Sequence, residues 1–339
     1  AAQGIIAGAY DVVIAAGVES MSRVPMGFTT AGRSPYGPSI AARYPDGLVG
    51  QGISAELVAA KWKFDREALD AFAAQSHQRA AAAAGEGFFD REILPIDVAD
   101  ADGKTVTHQA DETVRATTTP EGLSGLKPSF YTEDFAQRFP EINWHITPGN
   151  SSPLTDGASG ALIMSDVMAS KLGLTPRARF HSFAVAGDDP IFMLTAPIPA
   201  THKILSRSGL SIDDIDAYEV NEAFASVPMA WAHEFGADPA KLNPRGGAIA
   251  LGAGDGDLGE QREGDVIGKL AELGDLRLAA GLLPIEVVGR ETQHFQALGL
   301  LVAVQRFQAF VLGSQPALGG DVDHQQHLAA MRGQAGGAT

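Results

Sequence analysis

From Gly149 to Gly236 the chain alternates short apolar runs with longer helical ones, and this alternation limits the fold more than any other feature. Residues 161–164 and 178–186 read as strands, the second closed by Gly187-Asp-Asp-Pro190. A helix starts at residues 197–199, where proline suits a first turn, and stops at Gly209. Residues 217–220 read as another strand, and a helix runs from Glu222 to Phe235 before Gly236. Strand and helix repeated at this spacing build a sheet covered by helices, so the fold class is α/β.

The first half is less regular. Residues 1–7 read as the end of a helix, 8–11 as a turn, 12–16 as a buried strand, and 18–26 as a polar loop. A chain that begins inside a helix reads as a fragment. The opening is apolar enough to suggest a signal peptide, but with no basic leader and with Asp11 interrupting it, it reads better as this helix end, turn and strand. Ile53, Leu57 and Ala60 share one helical face. Asp65 caps a second helix, with Leu69, Phe72, Ala73, Ser76 and Ala80 at helical spacing and Gly85 and Gly87 at its end. Residues 90–149 show no clear period. From residue 254 onward glutamine becomes common and the acids cluster, while the apolar stretches 282–288 and 297–312 read as collapsed or helical.

Charge and composition remove several function classes. A net charge of −16 repels a phosphate backbone, so nucleic acid is not the expected partner. An anionic ligand needs a local basic patch, for which Arg115, Lys127 and Lys203 are candidates. No uninterrupted apolar run reaches the roughly eighteen residues of a membrane span. With no cysteine there is no disulfide framework and no support for secretion, so the expected location is cytoplasmic. Asp321, Asp323, His324 and His327 read as solvated polar residues, and Asp255 and Asp257 lack a calcium loop, so no metal is expected.

Five segments carry the chemistry: Ala16-Gly-Val-Glu-Ser-Met-Ser-Arg-Val-Pro25, Gln51-Gly-Ile-Ser-Ala-Glu56, Thr147-Pro-Gly-Asn-Ser-Ser-Pro-Leu-Thr-Asp-Gly157, Glu219-Val-Asn-Glu-Ala-Phe-Ala225 and Asn243-Pro-Arg-Gly-Gly-Ala-Ile-Ala-Leu-Gly252. Singly, each has an ordinary reading. Glycine-rich stretches are usually turns. Asn221 at a strand-to-helix junction is most simply an N-cap, Ser151 and Ser152 could cap a helix, and Glu222 in a first turn could complement the helix dipole.

Together and in this order, the five segments resemble the thiolase family, and the resemblance runs from Ala1 to Gly252. It implies the thiolase fold: two similar βαβ-type halves with an inserted loop domain, here incomplete. Residues 1–27 and 150–171 would be what remains of the first half, 28–149 the inserted domain that covers coenzyme A, and 172–253 the second half. The implied activity is acetyl-CoA C-acyltransferase, acyl transfer from 3-ketoacyl-CoA to CoA in fatty-acid or lipid β-oxidation. Coenzyme A is then a substrate, no cofactor is needed, and the intact family member is a homodimer or tetramer.

Carried over by position, Asn221 would hold a water in an oxyanion hole. Ala223, Phe224 and Met193 would line the acyl site. Ser152 would contact the pantetheine arm, with Leu154 flanking it. Arg115 and Phe130 fall where the family binds the nucleotide end of CoA; for Arg115 a solvated surface charge is the alternative. Three departures stand against turnover. The nucleophilic cysteine of the family falls before Ala1, the activating histidine is replaced at Ala253-Gly254, and no second cysteine exists. The resemblance ends at Gly252, and either a shifted reading frame or a genuinely divergent tail would account for residues 254–339. The chain as given is therefore expected to be inactive, and a non-catalytic thiolase-like protein that binds acyl-CoA or lipid is the alternative.

Overall fold

The computed structural model describes residues 1–252 other than Pro25 and Ala101, together with the backbone of residues 297–300. Helix α1 (Ala2–Ile6) turns into strand β1 (Val12–Ser20). A long excursion follows, through α2 (Pro38–Arg43), α3 (Gln51–Trp62), α4 (Arg66–Gly85), the hairpin β2 (Ile96–Ala99) and β3 (Thr105–His108), α5 (Pro120–Ser124) and α6 (Glu133–Arg138). The chain then gives β4 (Asp156–Ser165), α7 (Asp166–Leu172), β5 (Ala178–Phe180), α8 (Pro197–Ser208), α9 (Ser226–Phe235), α10 (Ala248–Leu251) and β6 (Ala297–Leu300).

Strands β1, β4, β6 and β5 form one antiparallel sheet in that order. Its longest pairing joins residues far apart in sequence, from Val12 opposite Met164 to Ser20 opposite Asp156. Residues 12–16 read as a buried strand. The strand is longer and half-exposed, with Ile14 at 63% and Val18 at 78%. Among the described residues it lies at the sheet edge with one covered face, so only alternate residues such as Val13 and Ala15 pack, here with Ala2, Ile5, Ala161 and Ile163. Residues 297–312 read as collapsed or helical. Residues 297–300 instead pair with both β4 and β5, and the rest of that stretch lies outside the described residues.

The expected strand 178–186 stops at Phe180. Beyond it the carbonyls of Phe183 and Val185 are taken by the side chains of Arg207 and Lys203, which displaces a neighbouring strand. Residues 217–220 likewise give a single bridge, Tyr218 opposite Leu242. The local rules hold better for helices. Asp65 caps α4 by accepting from the Ala68 N–H at 2.9 Å, and Leu69, Ala73, Ser76 and Ala80 are buried. Helix α8 begins on Pro197 and ends on Gly209 in the left-handed conformation.

Helix α3 is the centre of the core. Residues 52–59 are buried all round, which small side chains permit. Ala55, Val58 and Ala59 pack with Leu69 and Ala73 of α4, Ile146, Phe224, Val227 and Ala230. Its two polar groups are satisfied. Ser54 Oγ donates to the Ile191 carbonyl at 2.6 Å, and Glu56 accepts from the His145 and Ile146 N–H groups at 2.9 Å each. Burial pushes the Glu56 carboxyl above its usual range, while those two donors oppose the shift.

Candidate active site

The Thr147–Gly157 segment is the hub on which the other motifs meet. Asn150 is fully buried and shapes its first turn. Asn150 Oδ1 accepts from the Thr147 N–H at 2.9 Å, and Nδ2 donates to Asp70 Oδ1 at 2.9 Å and to the His145 carbonyl at 3.0 Å. Arg66 Nε holds the other Asp70 oxygen at 2.7 Å. The segment then pairs with residues 223–225. Ser152 N–H donates to the Ala223 carbonyl at 2.9 Å, Ala225 N–H donates to the Asn150 carbonyl at 2.9 Å, and Ser151 stands opposite Phe224. Further along, Asp156 accepts from the Ser22 hydroxyl and from the Ser22 N–H at 2.8 Å, which hold its carboxyl below the usual range. The Glu19-Ser-Met-Ser22 segment is thereby tied to the hub.

Asn243 joins the fourth and fifth segments. Its Oδ1 accepts from the Val220 N–H at 2.8 Å, and its Nδ2 donates to the Val220 carbonyl and to Glu222 Oε1, both at 2.8 Å. One amide side chain thus supplies the next rung of the ladder that the Tyr218–Leu242 bridge begins. Glu222 Oε2 accepts from Ser76 Oγ at 2.6 Å and from the Ile249 N–H at 3.2 Å, and the same Ser76 hydroxyl accepts from the Gly247 N–H at 3.1 Å. A Cβ on Gly247 would overlap the Glu222 carboxylate, and one on Gly246, whose φ is 79°, would strike the backbone of α4. The two glycines let these elements close on each other.

This network corrects the reading of residues 221–225. The helix begins at Ser226, not Glu222, and its N-cap is Ala225 with no side-chain cap. Asn221 is therefore no N-cap, and Glu222 lies outside the first turn of α9; its carboxyl instead meets the first turn of α10 at the Ile249 N–H. The bridge to Ser151 and the grip on Glu222 keep residues 221–224 out of the helix. Burial pushes the Glu222 carboxyl up, against the donors from Asn243, Ser76 and Ile249 and the Arg79 cation, which act to lower it.

Ser152, Ala223 and Phe224 come together at this bridge, with Asn221 two residues before Ala223 in the chain, and both Ser152 and Asn221 are half-buried. Among the described residues, no hydrogen bond engages the Asn221 side chain. Met193 opens a short turn, Met193–Thr195, fixed by Asp189 Oδ1, which accepts from Ile191 N–H at 2.7 Å and Phe192 N–H at 3.1 Å, and by Asp188, which accepts from Thr195 Oγ1 at 2.7 Å. The Phe130 ring meets Phe224 edge-on at 5.9 Å, and Phe130 and Met193 pack on the same core cluster as Phe224. A Cβ on Gly52 would overlap the Phe130 ring, so the glycine of the second segment sets how closely Phe130 approaches α3. Leu154 is 65% exposed.

Arg115 is anchored elsewhere. It is exposed, and its N–H donates to Nδ1 of buried His77 at 3.2 Å, while Thr113 Oγ1 donates to the Ala250 carbonyl at 2.7 Å. Lys127 is exposed, and Lys203 donates to the Val185 carbonyl. Among the described residues there is no group of three or more His, Cys, Asp or Glu that could hold a metal. No helix among them is long and apolar enough to cross a membrane.

The motifs therefore converge, and comparison with known proteins decides what they are. The description "Thiolase, N-terminal domain" matches residues 1–167, and "Thiolase, C-terminal domain" matches residues 174–278. The chain belongs to the thiolase family. The second match runs past Gly252. A steroid 3-ketoacyl-CoA thiolase of Mycobacterium tuberculosis is 38% identical over 281 residues, 80% of this chain and 65% of that protein. A 3-ketoacyl-CoA thiolase of Photobacterium profundum is 43% identical over 74% of this chain and 62% of its own length. Among solved structures, human mitochondrial 3-ketoacyl-CoA thiolase matches with a TM-score of 0.62 at 37% identity, covering 74% of this chain and 63% of that one. The dimeric peroxisomal thiolase of Saccharomyces cerevisiae matches with a TM-score of 0.64 at 36% identity, covering 74% and 60%. This thiolase chain thus spans less than two thirds of the length of these relatives.

The residues that sequence reasoning missed are the ones that assemble the site. Ser76 reads only as a core-facing helical residue, and Asn150, Asp156 and Asn243 only as members of motifs. Their one signal is that a small or amide side chain recurs where an apolar one would pack, at Ser76 and Asn243.

Proposed function

We propose that this thiolase chain takes 3-ketoacyl-CoA and CoA as its ligands. The reaction class is acetyl-CoA C-acyl transfer in fatty-acid or lipid β-oxidation. The observation that carries the reading is the backbone pairing of residues 150–152 with 223–225, which sets Ser152 beside Ala223, two residues along the chain from Asn221. In this reading Ser152 and Leu154 meet the pantetheine arm, Ala223, Phe224 and Met193 line the acyl site, and Asn221 faces the acyl oxygen. Arg115 serves the nucleotide end, where the family resemblance also put Phe130. The packing of Phe130 on Phe224 favours a place for it closer to the acyl group than to the nucleotide. Coenzyme A is a substrate here, and no further cofactor is invoked. A homodimer and a cytoplasmic location belong to the same proposal; the dimer is supported by the dimeric yeast neighbour.

Covalent transfer needs a thiolate, and these 339 residues hold no cysteine. By themselves they bind and do not turn over. That absence also favours a second reading, a non-catalytic protein that holds acyl-CoA or lipid. Two measurements test the proposal. Purified chain should cleave acetoacetyl-CoA no faster than a heat-killed control. Calorimetry should detect CoA binding that Arg115→Ala weakens. Turnover above the control would refute the binding-only account, and unchanged affinity would remove Arg115 from the site. Binding of fatty-acid vesicles in place of any CoA ester would select the second reading.

A further inference from the structure

We propose that Asn243, Glu222 and Ser76 are a buried clamp whose task is to present Asn221 to the acyl group, making Asn243 and Glu222 positioning residues. The inference rests on the acyl-CoA reading of the Ser152–Ala223 bridge. Asn221 lies between two residues that the clamp grips directly. On one side, Asn243 binds both the N–H and the carbonyl of Val220. On the other, Glu222 is held by Asn243 Nδ2, Ser76 Oγ and the Ile249 N–H. The next residue, Ala223, is fixed by the Ser152 N–H. Val220 is thus pinned through its backbone by Asn243, Glu222 through its side chain by Asn243, α4 and α10, and Ala223 by the hub, while the Asn221 amide has no partner among the described residues.

The clamp is costly to build. It buries a carboxylate to 1% exposure, keeps Asn243 at a φ of 44°, and requires Gly246 and Gly247. A loop that only had to close the chain could be packed with apolar side chains at similar stability. Such an arrangement instead fixes one backbone geometry, because each of the three side chains bonds two or more partners and a shift of any one orphans the others. What it fixes is a single half-buried amide two residues before Ala223. An amide held that way can direct a hydrogen bond, or a bound water, at a carbonyl oxygen without reorganising.

Two arms test this. The first needs no ligand. Amide hydrogen exchange at Val220, Gly247 and Ile249, whose N–H groups donate into the clamp, should be slow in the full chain and at least tenfold faster in Asn243→Asp, which loses both donors. Adding Glu222→Gln to Asn243→Asp exchanges the carboxylate and the amide and should recover part of the protection. The second arm compares binding of acetoacetyl-CoA with binding of CoA by calorimetry. Asn221→Ala should reduce the preference for acetoacetyl-CoA about fivefold, as expected for one hydrogen bond. Asn243→Asp should reduce it by a similar factor, and the double variant Asn221→Ala/Asn243→Asp should lose no more than either alone. Unchanged exchange in Asn243→Asp overturns the clamp. Faster exchange with an unchanged preference, or losses that add, makes it structural only and overturns its proposed task. If the unaltered chain binds neither ester nor CoA, the acyl-CoA reading falls and the task falls with it, while the exchange arm still decides whether the clamp exists.

Discussion

Replacing Asn150 by alanine should be among the most damaging single changes outside the apolar core. The side chain is fully buried and makes three hydrogen bonds, to the Thr147 N–H, Asp70 and the His145 carbonyl. Alanine orphans all three partners, at about 1–3 kcal/mol for each buried group left unmade. Asp70 keeps Arg66, and half-buried His145 can turn its carbonyl to water, so the lower end applies to both. Thr147 is fully buried and has no such recourse. The expected loss is about 3–5 kcal/mol, a large share of the roughly 5–15 kcal/mol that holds a domain together. Ser151→Ala is the control. It removes one hydrogen bond of 2.8 Å to the Thr147 carbonyl and should cost about 1 kcal/mol. Urea denaturation followed by circular dichroism reads both as shifts of midpoint at constant slope. A loss for Asn150→Ala below about 1 kcal/mol, or equal to that of the control, would refute the claim that Asn150 holds the hub.

Gly52→Ala should destabilise by about 1–3 kcal/mol through overpacking, because the new methyl group and the Phe130 ring compete for one space; an unchanged melting temperature and near-ultraviolet dichroism would contradict it. His77 carries an acid sensitivity. Burial and then the Arg115 charge hold its pKa below the usual value, so the unfolded chain takes up the proton first and stability is lost as pH falls below about 6.5. Buried Glu56 and Glu222 shift upward and act in the opposite sense, favouring the folded chain as pH falls. The test is therefore the difference between the chain and His77→Gln in urea midpoint at pH 7.5 and 5.5, which should shrink on acidification; a constant difference would exclude His77.

Much of the helical architecture was legible because its determinants are local. Asp65 lies three residues from the amide it caps, and Pro197 and Gly209 mark both ends of α8. The motifs were legible as an ordered set. What was not legible depends on partners remote in sequence. Glu222 looks like a first-turn acid until Ser76, 146 residues away, takes its oxygen, and the helix begins only at Ser226. Strand β1 looks buried because its apolar residues are contiguous, but among the described residues only one of its faces is covered, which leaves Ile14 and Val18 exposed. Residues 183–185 look like a continuing strand until Arg207 and Lys203 take their carbonyls. In each case a side chain from elsewhere, or a face left uncovered among the described residues, overrides the local pattern.

The account rests on one site, at the bridge between residues 150–152 and 223–225. The most direct test is to titrate isotope-labelled chain with acetoacetyl-CoA and map the chemical-shift changes. The perturbed resonances should centre on Ser152, Asn221, Ala223, Phe224 and Met193, with Arg115 saturating along the same curve. Perturbations confined to the exposed face of β1, at Val12, Ile14 and Val18, or no saturable change at any residue, would contradict it.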